Sequence, residues 1–190
     1  MTDHRIIITG GGQMGLALGY YLRRAGVPFL ILDGEEGPGG AWRHGWDSLR
    51  LFSPAGYSSL PGWLMPPLDH GGFPTRDDVI GYLGRYEQRY ELPIDRPVQV
   101  IEVEHGDDSL IIRTDRGGYR AAQVVSATGT WSQPYIPQFP GRELFEGLQL
   151  HSAKYRSPDA FAGKSVWWSE AAIAGRRSLP SFRRSPTQHG

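Results

Sequence analysis

Six residues between two apolar segments constrain this chain more than any others: Gly10-Gly11-Gly12-Gln13-Met14-Gly15. Before them, Arg5-Ile6-Ile7-Ile8-Thr9 has no polar alternate, the pattern of a strand buried on both faces. After them, Leu16, Leu18, Tyr20, Tyr21 and Leu22 run without proline to Arg23-Arg24-Ala25-Gly26. That predicts a helix with cations in its last turn and glycine as its stop. Val27-Pro28-Phe29-Leu30-Ile31-Leu32 then reads as a second buried strand, closed by Asp33. Strand, glycine turn, helix and strand within about 30 residues make one βαβ unit.

The spacing Gly10-x-Gly12-x-x-Gly15 gives that unit a chemistry. Gly10 allows the tight turn, Gly12 lets a pyrophosphate approach the backbone, and Gly15 lets helix and strand pack closely. The helix start then offers free N–H groups and a partial positive charge to phosphate. Asp33, about 20 positions on, is placed to accept the ribose hydroxyls and would repel a 2′-phosphate. Glu35 and Glu36 are alternatives for that role. These features together predict a dinucleotide site.

Other chemistries fall to composition. With no cysteine there is no disulfide, thiolate metal site, cysteine nucleophile or dithiol redox pair. The only lysines are Lys154 and Lys164, and four residues before them stand Leu150 and Ala160. The Tyr-x-x-x-Lys pair of a short-chain dehydrogenase is therefore missing. A net charge of zero gives no reason to expect nucleic acid or an anionic membrane as partner. No window holds the roughly 18 apolar residues of a membrane span. A cytoplasmic protein with no metal site is the expectation.

Downstream, Gly34–Gly45 is a glycine-rich loop, and 49–70 is irregular, with Pro54, Pro61, Pro66 and Pro67. A loop of that length inside a domain points to function. Residues 75–90 read as a helix, with Thr75 as N-cap, Asp77 and Asp78 in its first turn, and Val79, Leu83, Tyr86 and Tyr90 on one face. Segments 97–104, 109–114 and 118–120 read as a small antiparallel meander turning at Asp107-Asp108 and Arg116-Gly117-Gly118. A separate buried strand, 122–127, follows and ends at Thr128-Gly129. A meander inserted before a strand ending Ala127-Thr128-Gly129 is the layout of flavoproteins that bind two dinucleotides.

Three motifs carry a closer resemblance. Phe145, Gly147, His151 and Tyr155 fit F-x-G-x-x-x-H-x-x-x-[YFKW]. Gly39-Gly40-Ala41-Trp42 fits a G-G-x-W turn, and Ala127-Thr128-Gly129 with Pro134, Pro137 and Gly141 fits A-T-G-x(4)-P-x-x-P-x(3)-G. By these the chain, from residue 5 to about 166, resembles the class B flavin monooxygenases. Tyr155 in place of Trp is less like a Baeyer–Villiger enzyme, and Gly39–Pro54 is most similar to bacterial members found beside arsenic-resistance genes. The resemblance implies an α/β, FAD-binding Rossmann-like fold: three layers, a parallel sheet, an inserted β-meander at about 97–120, incomplete within this chain. It implies FAD on Gly10, Gly12, Gln13, Gly15 and Asp33, with Gly40, Ala41 and Trp42 along the flavin and Thr128 and Gly129 on its other side. Phe145, Gly147, His151 and Tyr155 would form a signature linker, His151 ordering it rather than acting as acid or base.

The implied reaction uses NADPH and O2: a flavin hydroperoxide passes one oxygen atom to a small-molecule substrate. The resemblance supplies no catalytic acid or base. An Asn that animal members carry near the flavin is absent from Leu51-Phe52-Ser53-Pro54, where Ser53 is the candidate hydrogen-bond donor.

The expected organisation is 1–141 as FAD-binding fold, 142–166 as linker, and 167–190 as non-native or disordered tail. The family's second fingerprint, for NADPH, should follow Gly163-Lys164-Ser165-Val166, but the glycines do not arrive. Trp167-Trp168 must be encoded TGGTGG, and with permitted codons for 169–174 the shifted frame reads Val-Val-Gly-Gly-Gly-Asn-Ser-Gly. The expectation is a frameshift near residue 167 and a chain that alone binds FAD weakly or not at all and is inactive. A truncated non-catalytic fragment, or an FAD-binding half served by a separate reductase chain, are the alternative readings.

Overall fold

The structure, a computed structural model, describes residues 2–138 and 140–167. The chain divides into two compact units, Met1–Ser157 and Pro158–Gly190. In the second unit, the described part holds one 3₁₀ turn, Asp159–Phe161. The proposed tail lies outside the described residues from 168 onward.

The first unit is built on a six-stranded sheet in the order β3-β2-β1-β6-β5-β4. Its strands are β1 (Thr2–Thr9), β2 (Phe29–Leu32), β3 (Ile94–Asp95), β4 (Val100–His105), β5 (Leu110–Thr114) and β6 (Gly117–Ser126). β3, β2, β1 and β6 are mutually parallel, whereas β6, β5 and β4 form the antiparallel meander. The apolar run of β1 is buried on both faces because successive side chains point opposite ways. Ile6 and Ile8 join Ile31 and Leu16 on the helical face. Ile7 lies with Leu30, Leu32, Val98, Ile112 and Ala121 on the other, to which the meander strands β5 and β6 contribute Ile112 and Ala121.

Helix α1 (Gln13–Arg24) ends as its sequence predicts. Gly26 takes φ +66°, its N–H bonds Arg23 O at 3.0 Å, and Val27 N–H bonds Leu22 O at 3.0 Å. Those two bonds are a Schellman cap, which satisfies carbonyls that the helix end leaves open. Helix α2 (Arg76–Arg89) starts with a reciprocal capping box: Asp78 N–H donates to Thr75 Oγ1 at 3.1 Å and Thr75 N–H to Asp78 Oδ2 at 2.8 Å. Its buried face is Val79, Tyr82, Leu83 and Tyr86.

The two tyrosines also pin the proline-rich loop. Tyr82 Oη donates to Trp63 O at 2.7 Å and accepts from Leu60 N–H at 2.8 Å, and Tyr86 Oη donates to Pro61 O at 2.6 Å. Buried backbone groups of an irregular segment thereby find partners.

Two strand readings are corrected. Segments 118–120 and 122–127, expected as separate strands, are one ten-residue strand, β6. The small Ala121-Ala122 step marks where β6 passes from pairing with β5 to pairing with β1 alone, and not a break. The two-residue strand β3, set between Pro93 and Arg96-Pro97, was not anticipated, because prolines on both sides read as loop.

Candidate functional site

The parallel strands β1 and β6 end side by side, and the glycine turn crosses between them. Gly10 N–H donates to Leu32 O at 2.7 Å and Ala127 N–H to Thr9 O at 2.8 Å. Gly10 has φ +107°, and a Cβ there would stand 2.6 Å from Ala127 O. A Cβ on Gly15 would come within 2.0 Å of Gly10 O. A Cβ on Gly40, at φ +52°, would meet Gly12 Cα at 2.9 Å. Three separate stretches, 10–15, 39–42 and 127–129, therefore meet backbone to backbone. Only glycine permits such approaches.

Gly12 is the exception. Its backbone is extended (φ −79°, ψ −172°) and its Cβ position has nothing within 4 Å. It is also the N-cap of α1, with no side-chain cap on the helix. A bare helix start facing open space next to backbone-only walls is what a pyrophosphate needs.

Gln13 and Trp42 are joined, Trp42 Nε1–H donating to Gln13 Oε1 at 3.1 Å. This bond ties the 3₁₀ turn Gly40–His44, which carries Ala41, to the start of α1. On the far side, Thr128 follows the β6 end, its hydroxyl 3.4 Å from Ser126 Oγ, and Gly129 takes φ +64° with open space about it.

Asp33 sits at the end of β2 and is 3% exposed. Its Oδ2 accepts from Arg96 Nε at 3.0 Å and Nη2 at 2.7 Å. Arg96 in turn donates to Glu87 on α2, Nη1 at 2.8 Å and Nη2 at 2.9 Å. Burial works against the Arg96 charge, but the bonds to Glu87 and Asp33 outweigh it and hold the guanidinium above its ordinary range. A Cβ on Gly11 would lie 2.5 Å from Asp33 Oδ2, so the carboxylate stands against the glycine turn. Glu35 is turned to its own loop, bonded to His44 Nε2 at 2.7 Å and 3.6 Å from Arg43 Nε. Arg96 and Glu87 carry no sequence signal; on α2, Glu87 reads as one more solvated carboxylate.

Ser53 lies on the following connection, where its hydroxyl is shared with Ser58 Oγ at 2.8 Å and Phe52 beside it is 94% exposed. In the linker, Phe145 is 59% exposed and its ring covers Gly147, where a Cβ would be 2.5 Å away. His151 caps the 3₁₀ turn Ser152–Lys154, its Nδ1 accepting from Ala153 N–H at 3.1 Å. Tyr155 meets Trp46 edge to face with ring centroids 5.4 Å apart, and Arg156 Nη1 donates to His44 O at 3.0 Å. The linker is thus fastened to the segment that follows Trp42. Among the described residues no group of three or more His, Asp or Glu could hold a metal, and no helix is long and apolar enough to cross a membrane.

Comparison with known proteins gives the chain its relatives. Residues 7–167 match the profile of the pyridine nucleotide-disulphide oxidoreductase family. The chain is 38% identical over 161 residues to an uncharacterized CzcO-like oxidoreductase of Geobacillus kaustophilus, covering 85% of this chain and 46% of that protein. It is 32% identical to the indole-3-pyruvate monooxygenase YUCCA4 of rice, covering 84% and 40%. Among solved structures, a flavin-containing monooxygenase from Stenotrophomonas maltophilia is 50% identical with a TM-score of 0.81, covering 86% of this chain and 49% of that one. The chain spans about half the length of the curated relatives it matches.

Proposed function

The chain belongs to the pyridine nucleotide-disulphide oxidoreductase family, and from that premise we propose that it is the FAD-binding part of an NADPH- and O2-dependent flavin monooxygenase acting on a small molecule. The family name spans disulphide chemistry as well, but this chain has no cysteine to exchange. Its likeness to the Stenotrophomonas flavin monooxygenase favours the oxygenating branch. The observation that carries the reading is the start of α1 at Gly12: nothing stands within 4 Å of its Cβ position, the Gly40 backbone packs close to Gly12 Cα, and no side chain caps the helix.

The residues fit FAD part by part. The first-turn N–H groups of α1 would hold the pyrophosphate beside Gly12. Asp33 would accept the adenosine ribose hydroxyls. Gln13, held by Trp42, would orient the Gly40–Trp42 turn along the flavin, with Thr128 and Gly129 at its other edge. When bound, FAD supplies the redox chemistry: NADPH and O2 are consumed, one oxygen atom goes to the substrate and the other leaves as water. The protein's own share is position and exclusion of water. His151 orders the linker turn through its bond from Ala153 and moves no proton. Ser53 stays a candidate donor toward the flavin if its bond to Ser58 opens.

Titrating the purified chain with FAD and with FMN, following flavin absorbance and fluorescence, tests the reading. Tighter binding of FAD than of FMN is expected, because only FAD carries the ADP half. Equal affinity for the two, or tighter binding of FMN, would refute it.

A further inference from the structure

The Asp33–Arg96–Glu87 cluster asks for a purpose, since it places three charges where they are costly. The side chains of Asp33, Arg96 and Glu87 are 5%, 15% and 11% exposed. Two carboxylates share one guanidinium, so the cluster keeps a net negative charge in a dry place. A buried ion pair is weak evidence for stability alone, since apolar replacements are often as stable. Its geometry is more informative. Arg96 comes from the β3–β4 connection, Glu87 from α2 and Asp33 from the end of β2. Arg96 uses four N–H donors on these bonds, of the five a guanidinium has. Both contacts to Asp33 fall on Oδ2 alone. The other oxygen, Oδ1, has only a long 3.5 Å contact from Glu35 N–H. One oxygen is clamped, the other has acceptor capacity left, and Oδ2 and Cγ of the carboxylate stand against the glycine turn at Gly11.

We infer that Arg96 is a positioning residue: braced by Glu87, it fixes the rotamer of Asp33 so that Oδ1 receives the hydroxyls of an adenosine ribose. The inference rests on the ribose role proposed for Asp33 and adds to it the group that makes that carboxylate a rigid acceptor. Without Arg96, a carboxylate this buried would lose its partner and swing away, because an unpaired buried charge is costly. Arg96 is spent on two carboxylates, and the Asp33 carboxylate would repel a ribose 2′-phosphate. The ligand class is therefore an adenosine diphosphate moiety without a 2′-phosphate.

The test uses the full chain and two probes, ADP and 2′,3′-dideoxy-ADP, titrated by calorimetry. The second lacks both hydroxyls that Asp33 would bind. Wild-type protein should prefer ADP by roughly 10-fold or more, the worth of a hydrogen bond to a charged group. Arg96→Met should abolish that preference while leaving dideoxy-ADP affinity near its wild-type value. Arg96→Lys keeps the charge and the fold but not the two-donor grip, and should reduce the preference several-fold. Glu87→Gln should reduce it less, since the Arg96–Asp33 contacts remain. A purely structural role for Arg96 would weaken both probes alike in every variant, which would overturn the inference. Preference retained in both Arg96 variants would overturn it too, with the ribose role of Asp33 intact. Equal binding of the probes by wild-type protein would remove that role and the inference together.

Discussion

Gly12→Ala separates a glycine kept for a ligand from glycines kept for the fold. At Gly12 the backbone is in a region open to any residue, and the added methyl meets nothing within 4 Å. Two small terms act on stability. Alanine narrows the unfolded ensemble, worth about 0.4–1 kcal/mol in favour. Alanine is also a poorer N-cap than glycine, which costs about 0.5–1 kcal/mol. They nearly cancel, and at about 2–4 °C per kcal/mol for a chain of this size the Tm should move by no more than about 2 °C. The methyl would project into the open slot and hold a pyrophosphate off the helix N–H groups. Losing one charge-assisted bond there costs about 1.5–3 kcal/mol, or roughly 10- to 150-fold in FAD affinity. Gly15→Ala is the contrast: its methyl would meet Gly10 O at 2.0 Å. Relieving that contact moves backbone and should cost about 3 kcal/mol or more, close to 10 °C. Differential scanning fluorimetry of the two variants without ligand, and FAD titration of Gly12→Ala, measure both halves. A fall of Gly12→Ala by many degrees, or wild-type FAD affinity in that variant, would refute the division.

Tyr86→Phe leaves Pro61 O without its buried donor and should cost about 1–3 kcal/mol in urea unfolding, with faster proteolysis in the 61–68 segment. Gly26→Ala has room for its methyl but must hold φ +66°, so about 1 kcal/mol of lost stability from backbone strain alone is expected. The start of α2 should depend on pH at both ends. Burial pushes the Asp78 carboxyl up, but bonds from Thr75 and His70 outweigh it and leave it below its ordinary value. Its contribution is therefore full above the unfolded carboxylate pKa and lost as pH falls through the lower folded one. The Asp78 hydrogen bond holds exposed His70 above its usual value, so that pairing is complete below about pH 6.5 and lost as pH rises through the higher folded pKa. NMR titration of the Asp78 and His70 side chains checks both directions, and Asp78→Asn should flatten the His70 shift.

The βαβ unit was legible because its signals are local. The β1 run, the glycine turn and the Gly26 stop, like the Thr75 cap of α2, each sit within a few residues and act on their own backbone. Sequence reading failed where a partner is remote. Arg96 reaches Asp33 across 63 positions, and nothing in Ile94-Asp95-Arg96-Pro97 announces it. Tyr86 reads as one of the shared face of α2 and is buried there, but its hydroxyl also fastens Pro61, and Tyr82, absent from that reading, fastens Leu60 and Trp63. β6 was divided because its first half pairs as a meander and its second half as a parallel strand, and periodicity does not register a change of neighbour.

That unbroken β6 has a consequence for anyone reshaping the molecule. Residues 119–121 pair with Thr2–His4 of β1, and 123–126 pair with the part of β1 that leads into the glycine turn. The meander is therefore no removable ornament. Cutting it out would strip the first half of β1 of its neighbour, and adding one residue within 121–126 would invert every later side chain before Thr128. Extra chain belongs at the tip between β4 and β5, around Asp107-Asp108, where it lengthens a loop without shifting the register of the strand that ends at the site.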